Sequence, residues 1–184
     1  MSNLPTIKEF QKRLANITIS GSTLRNQGNR GVIDIAREFL EVIDLAKFVT
    51  DENTFLNELN IQTEMLRERF PTGAQNWGAA RKAINLFLAE CCYHRFICRE
   101  YHLEKIEKFL EIALDSQVAN FLIREAFAKD ITLPRWQGLK RLLPPDSYLY
   151  QEFAYKYAKE RKLAARFYLD VLIWRSEGLE ITGK

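Results

Sequence analysis

Residues 75–101 read QNWGAARKAINLFLAECCYHRFICREY and form the longest helical pattern in the chain. Apolar side chains recur there every three or four residues, so at about 100° per residue they share one stripe. The stripe consists of Ala80, Ile84, Phe87, Leu88 and Cys91. Lys82 lies nearly opposite the stripe, so we expect it on the polar face. The pattern therefore predicts a long amphipathic helix that packs against its neighbours on one side.

The same helical spacing recurs along almost the whole chain, and no stretch alternates with a period of two. It predicts helices over residues 5–17, 32–43, 52–69, 103–112, 147–161 and 163–175, and one that begins at Asp115. Asp51 is predicted to cap the helix over 52–69. Residues 133–146 are predicted as a loop that Pro144 and Pro145 end. The sequence thus predicts an all-α, multi-helix protein.

The size and composition of the chain fit one folded unit. Of its 184 residues 47% are apolar, which excludes disordered and low-complexity classes. The apolar runs are shorter than the ~18 residues of a membrane span. The first residues, MSNLPTIKEF, lack the basic patch and apolar segment of a secretory signal. We expect a single compact all-α unit over residues 1–184, located in the cytoplasm and not in a membrane.

The charged and metal-binding residue types constrain the function only loosely. The 27 Lys and Arg against 24 Asp and Glu give a net charge of +3, which is compatible with a polyanionic partner without requiring one. Cys91 and Cys92 are adjacent and cannot both face one metal ion from a regular helix, and no CxxC pair occurs. GxSxG, HExxH, P-loop and GxGxxG motifs are also absent. No metal and no cofactor are expected.

Two segments carry more than a generic helical pattern: GAARKAINLFL at 78–88 and LDSQVANFLIRE at 114–125. In this order they resemble the turn–helix and loop–helix motifs of the helix-hairpin-helix DNA glycosylases. The residues that match are Gly78, Arg81, Lys82, Ala83 and Leu88 in the first segment, and Leu114, Asp115, Ser116, Val118 and Arg124 in the second. SGSTL at 20–24 resembles the family's early turn, and LDVLIWR at 169–175 resembles its final helix.

The resemblance implies a fold, an activity and a catalytic pair. The fold would be a two-lobed helical bundle with a cleft lined by residues 20–30, 75–88 and 112–120. The activity would be that of a DNA glycosylase with Lys-dependent AP lyase chemistry, acting on damaged or modified bases in double-stranded DNA. By resemblance, Lys82 would be the nucleophile and Asp115 the activating carboxylate.

Physical chemistry gives such a pair a rationale. Cleavage of an N-glycosidic bond develops oxocarbenium character on the sugar, which a nearby carboxylate stabilises. The N–H groups at a helix N-terminus favour the charged form of Asp115. A neutral amine can attack the same sugar carbon and form a Schiff base, after which the strand breaks by β-elimination. Desolvation and the neighbouring Arg81 would favour the neutral form of Lys82.

Further residues are candidates for contacts to DNA: Gly78 because it matches the family's hairpin motif, and the others because they carry a positive charge or an aromatic ring. These candidates are Arg25, Arg30, Gly78, Arg81, Arg135, Trp136, Lys140 and Arg141. A mixed basic and aromatic loop at 135–141 could stack on a base or wedge beside it.

Other interpretations of the same residues stay open. A lysine on a polar helix face is ordinarily a solvated residue, and Asp115 alone is an ordinary N-cap. Residues 77–80 read WGAA where the family has a Gly-x-Gly turn. This departure favours a non-catalytic helical module that binds nucleic acid or a protein. A third interpretation is an all-α scaffold that acts only through protein contacts.

Overall fold

The computed structural model describes residues 5–24, 26–27 and 31–175, and in this part of the chain there are helices and turns but no β-strand. The prediction of an all-α protein is confirmed. The α-helices are α1 (Ile7–Thr18), α2 (Val32–Val42), α3 (Glu52–Arg69), α4 (Trp77–Tyr93), α5 (Arg95–Tyr101), α6 (Ser116–Phe127), α7 (Pro144–Glu160) and α8 (Tyr168–Arg175). Short 3-10 turns lie at Leu45–Phe48, Leu103–Lys105, Glu107–Phe109 and Leu139–Arg141. None of these helices is long and apolar enough to cross a membrane.

Side-chain caps fix where several helices begin. The Thr6 hydroxyl accepts a bond from the Glu9 amide at 3.3 Å, and the Glu9 carboxylate accepts one from the Thr6 amide, a reciprocal capping box. Asp51 accepts bonds from the amides of residues 53 and 54, which confirms it as the cap of α3. Such a cap stabilises a helix by about 1 kcal/mol.

Four of the predicted helices differ from the structure, and the one over 163–175 begins only at Tyr168. The pattern over 75–101 is two helices, because His94 leaves the helical conformation, ends α4 and begins α5. Residues 103–112 contain two 3-10 turns instead of an α-helix. Pro144 and Pro145 begin α7 instead of only ending the loop. Proline suits the first turn of a helix because the N–H that it lacks has no intrahelical partner there.

The buried apolar side chains form two clusters, and α4 contributes to both. The first cluster contains residues of α1 to α5, including Leu40, Phe55, Leu66 and Ile84. The second contains residues of α6 to α8 and of the 139–142 turn, together with Trp77 from the start of α4. Because α4 is packed on both sides, Lys82 is only 8% exposed. Lys82 therefore does not lie on a solvated face, the ordinary position of a lysine opposite an apolar stripe.

Candidate functional site

The structure brings Lys82 and Asp115 together, although 33 residues separate them in sequence. Lys82 lies in the second turn of α4, and Asp115 is the N-cap of α6. The Nζ of Lys82 donates to Oδ2 of Asp115 at 3.1 Å. The other oxygen, Oδ1, accepts bonds from the backbone amides of Gln117 and Val118, both at 3.0 Å. One carboxylate thus caps a helix and binds an ammonium group.

The two members of this pair differ in exposure. The Lys82 side chain is 9% exposed, while the Asp115 side chain is 29% exposed. The carboxylate is therefore the member that meets solvent, and the ammonium group lies behind it. The amide bonds to Oδ1 hold the carboxylate in one orientation, so that Oδ2 stays directed at the amine.

A third ionisable group, Asp170 of α8, interacts electrostatically with the pair. Burial, together with repulsion from Asp115, raises the pKa of Asp170 to about 6, although Lys82 acts in the opposite direction. Burial also raises the pKa of Glu90, which repels Asp170. Sequence reasoning missed Asp170. The signal that could have identified it is a single acid within the apolar run LDVLI.

Beside the pair lies a buried network centred on Glu111. Its carboxylate accepts two bonds from the guanidinium of Arg81, at 2.8 and 2.9 Å, and one from Asn85 at 3.0 Å. Arg81 also donates to side-chain oxygens of Asn60 and Thr63. Burial by itself would raise the pKa of Glu111, but the charges of Arg81 and Arg166 and the hydrogen bonds from Arg81 and Asn85 together outweigh it and hold that pKa below its usual value.

The geometry of this network corrects the expected role of Arg81. We expected the side chain to contact DNA phosphates, but it is 7% exposed and all three of its nitrogens donate to protein oxygens. It therefore joins α3 and α4 to the segment that precedes α6. Sequence reasoning missed Glu111 as its partner. The sequence contains no signal for this pair, because Arg81 and Glu111 are 30 positions apart and helices and turns lie between them.

Gly78 also has a structural role instead of the expected contact to DNA. The residue is buried at the start of α4. A Cβ at this position would lie 2.4 Å from the carbonyl oxygen of Leu139 and 2.8 Å from the Cβ of Leu142. Only glycine allows the 139–142 turn to approach α4 this closely. The contact joins the loop before α7 to the helix that carries Lys82.

The remaining candidate DNA contacts lie mostly in one loop. Arg135, Lys140 and Arg141 are exposed, and Trp136 is half-buried. None of these three cations forms an ion pair with another residue that the structure describes. This surface has the charge that a phosphate backbone requires, but DNA contact there stays a prediction.

The predicted cleft segments meet at two points within the described residues. Lys82 and Asp115 join 75–88 to 112–120, and the Asn76 side chain donates to the backbone oxygen of Gln27 at 2.7 Å. Arg25 and Arg30 lie outside the described residues. Within the part of the chain that the structure describes, no three His, Cys, Asp or Glu residues are grouped so that they could hold a metal ion.

Comparisons with known proteins give no indication of what the site does. No family model, curated protein sequence or solved structure matches this chain.

Proposed function

We propose that the protein is a base-excision enzyme of the DNA glycosylase and AP lyase type, with Lys82 as nucleophile and Asp115 as the stabilising carboxylate. The observation that supports this proposal is the 3.1 Å contact between an amine and a helix-capping acid that the sequence places 33 residues apart. The two groups are the pair that the resemblance to helix-hairpin-helix glycosylases implies.

The carboxylate has the properties that glycosidic cleavage requires. Its Oδ1 is held by two backbone amides, so the negative charge is fixed in place before substrate binds. A preorganised charge of this kind stabilises developing positive charge on the sugar without further reorganisation. The 29% exposure of Asp115 leaves a side of the carboxylate for an extruded nucleoside.

The amine carries the second half of the chemistry. After loss of a proton, Nζ of Lys82 forms a bond to C1′ while the bond from C1′ to the base nitrogen breaks, and the base leaves with the electron pair and is protonated. The attached nitrogen then loses a proton, and the sugar ring opens to a protonated Schiff base as O4′ takes up a proton. Loss of a proton from C2′ expels the 3′ phosphate. The first proton passes to water at the solvent-exposed side of Asp115.

Trapping with borohydride tests this proposal. The protein is incubated with duplexes that carry an abasic site, 8-oxoguanine or an alkylated base, and borohydride reduces any Schiff base to a stable amine. We expect a covalent complex with the natural chain and at least a tenfold loss with Lys82→Met. Asp115→Asn retains an oxygen that can cap α6 but removes the charge, so it is expected to slow base release while the protein stays folded.

Lys47→Met is the matched control, because it removes an exposed lysine far from the pair in sequence. Trapping should be unchanged in this variant. If the natural chain gives no complex with any of the duplexes, the lyase proposal is wrong. If folded Lys82→Met is trapped as well as the natural chain, another amine reacts and the assignment of Lys82 is wrong.

A non-catalytic helical module that binds nucleic acid is the second candidate function. The observation that favours it is the 9% exposure of the Lys82 side chain, whose ammonium group is already bound to Asp115. Such a module would bind duplex DNA with a strong salt dependence and release no product after long incubation. A scaffold that acts only through protein contacts would not bind DNA at moderate salt.

A further inference from the structure

A shallow pocket, open to solvent, lies between the basic loop and the start of α7. The space that it encloses is only about 10 Å³, room for about one water molecule, so a larger ligand would lie across its mouth and stay largely in contact with solvent. The side chains that give it chemistry are those of Arg135, Trp136, Gln137, Arg141, Asp146 and Tyr150.

The aromatic wall of this pocket is held by contacts to buried groups. Tyr150 is 1% exposed, and its hydroxyl donates to the carbonyl oxygen of Pro134 at 2.6 Å. The Trp136 ring stands at 88° to the Tyr150 ring, with centroids 6.0 Å apart. In this perpendicular arrangement Tyr150 can cover at most one face of the Trp136 ring. Because Trp136 is only half-buried, the exposed part of its ring is a surface on which a base can stack.

The polar groups of the pocket include both charge signs. Arg135 and Arg141 are exposed at its rim, and the Nη1 of Arg141 donates to Gln137 Oε1 at 3.1 Å. Asp146, in the first turn of α7, is half-buried and forms no ion pair with any described residue. Cations attract a phosphate, whereas a carboxylate repels a phosphate and accepts N–H donors.

We infer that this pocket binds one unstacked guanine of a DNA strand, with the ring on Trp136, the strand's phosphates on Arg135 and Arg141, and the guanine N1–H and N2–H groups on Asp146. Guanine presents two adjacent donors to a carboxylate, whereas thymine presents one donor between two carbonyl oxygens. The inference rests on the proposed function for its ligand, a DNA strand, and not on the chemistry at Lys82.

The position of the pocket relates it to the candidate site. The close contact of Gly78 with Leu139 and Leu142 seats the loop on the first turn of α4, and Lys82 lies in the next turn. A strand held by the loop would thus be anchored on the helix that carries the amine.

The test measures binding of end-labelled single-stranded pentamers to the full chain by fluorescence anisotropy. We expect TTGTT to bind roughly five- to tenfold more tightly than TTTTT, as a charged hydrogen bond predicts. Trp136→Ala should weaken binding of both strands roughly tenfold through lost stacking. Asp146→Asn should abolish the preference for guanine while TTTTT binds as well as before or better, a change that a merely structural role would not produce.

Arg135→Ala and Arg95→Ala are compared to locate the phosphate contacts. Arg135→Ala should reduce the slope of log affinity against log salt concentration by about one phosphate contact. Arg95→Ala, which removes an exposed arginine of α5, should leave that slope unchanged. The inference is overturned if the natural chain has no preference for guanine, if Asp146→Asn keeps the preference, or if folded Trp136→Ala binds normally. Trapping that fails while the loop still selects guanine would refute the lyase proposal alone. Trapping that succeeds without selection by the loop would refute the pocket alone.

Discussion

At the scale of single residues, two adjacent side chains of α4 form ion pairs that differ in burial. Arg81 pairs with Glu111, both 7% exposed, and Lys82 pairs with the more exposed Asp115. Removing one partner of a fully buried ion pair leaves an uncompensated charge, whereas the Asp115 carboxylate meets solvent and is less costly to leave unpaired. The inner pair is therefore expected to dominate stability and the outer pair to remain available for chemistry.

Replacement of Glu111 by Gln should destabilise the protein by about 3–5 kcal/mol, because the Arg81 guanidinium then stays buried without its counter-charge. Chemical denaturation measures this free energy of unfolding. Glu64→Gln, in the exposed pair with Arg67, is the control and should cost less than about 1 kcal/mol. Equal effects of the two substitutions would contradict the prediction.

The stabilisation by Glu111 should also depend on pH. Its folded-state pKa lies below the usual value, so the folded state holds the carboxylate as an anion more strongly than the unfolded state does. The contribution is complete above the unfolded-state pKa and is lost as pH falls through the folded-state pKa. As pH falls, the free energy of unfolding of Glu111→Gln should therefore decrease less steeply than that of the natural chain.

Asp170 should have the opposite pH dependence. Its folded-state pKa is about 6, against an ordinary value of 3.8, so protonation favours the folded state between these values. At neutral pH the buried charge therefore destabilises the natural chain. Asp170→Asn should raise the free energy of unfolding at pH 7 by up to about 3 kcal/mol and leave it unchanged near pH 3. An exposed control, Asp34→Asn, should not reproduce this dependence.

At the scale of elements, the contact between α4 and the 139–142 turn depends on one glycine. Gly78→Ala would place a Cβ 2.4 Å from a backbone oxygen, which cannot move without moving the turn. We expect a loss of about 1–3 kcal/mol, typical of overpacking, measured by thermal unfolding. Gly21→Ala is the matched control, because a Cβ added at that position would have no neighbouring atom within 4 Å. A neutral Gly78→Ala would show that the turn is not seated on α4.

The helices themselves were largely predictable, because local patterns determine them. The bounds of α3 agree with the prediction over 52–69, since Asp51 caps one end and Pro71 follows the other. The break at His94 was not predictable, because the apolar spacing continues across it. The role of Pro144 was misread, because a proline can equally end one element or begin the next.

At the scale of the whole molecule, the candidate site was predictable only in part. The pairing of Lys82 with Asp115 followed from the resemblance, and the structure brings these residues together. The burial of Lys82 did not follow, because periodicity identifies the face on which a helix packs but not a second layer over the opposite face. Glu111 and Asp170 reach the site through tertiary packing of segments far apart in sequence, and no local pattern encodes that.

The two ion pairs between α4 and the start of α6 imply a pattern of joint substitution. Positions 81 and 111 are constrained by folding, and positions 82 and 115 by the proposed reaction, so each pair should covary internally and independently of the other. A relative that keeps arginine and glutamate at the first two positions but has lost lysine at 82 would have retained the architecture after giving up the chemistry. Such a chain would be a natural counterpart of the Lys82→Met variant.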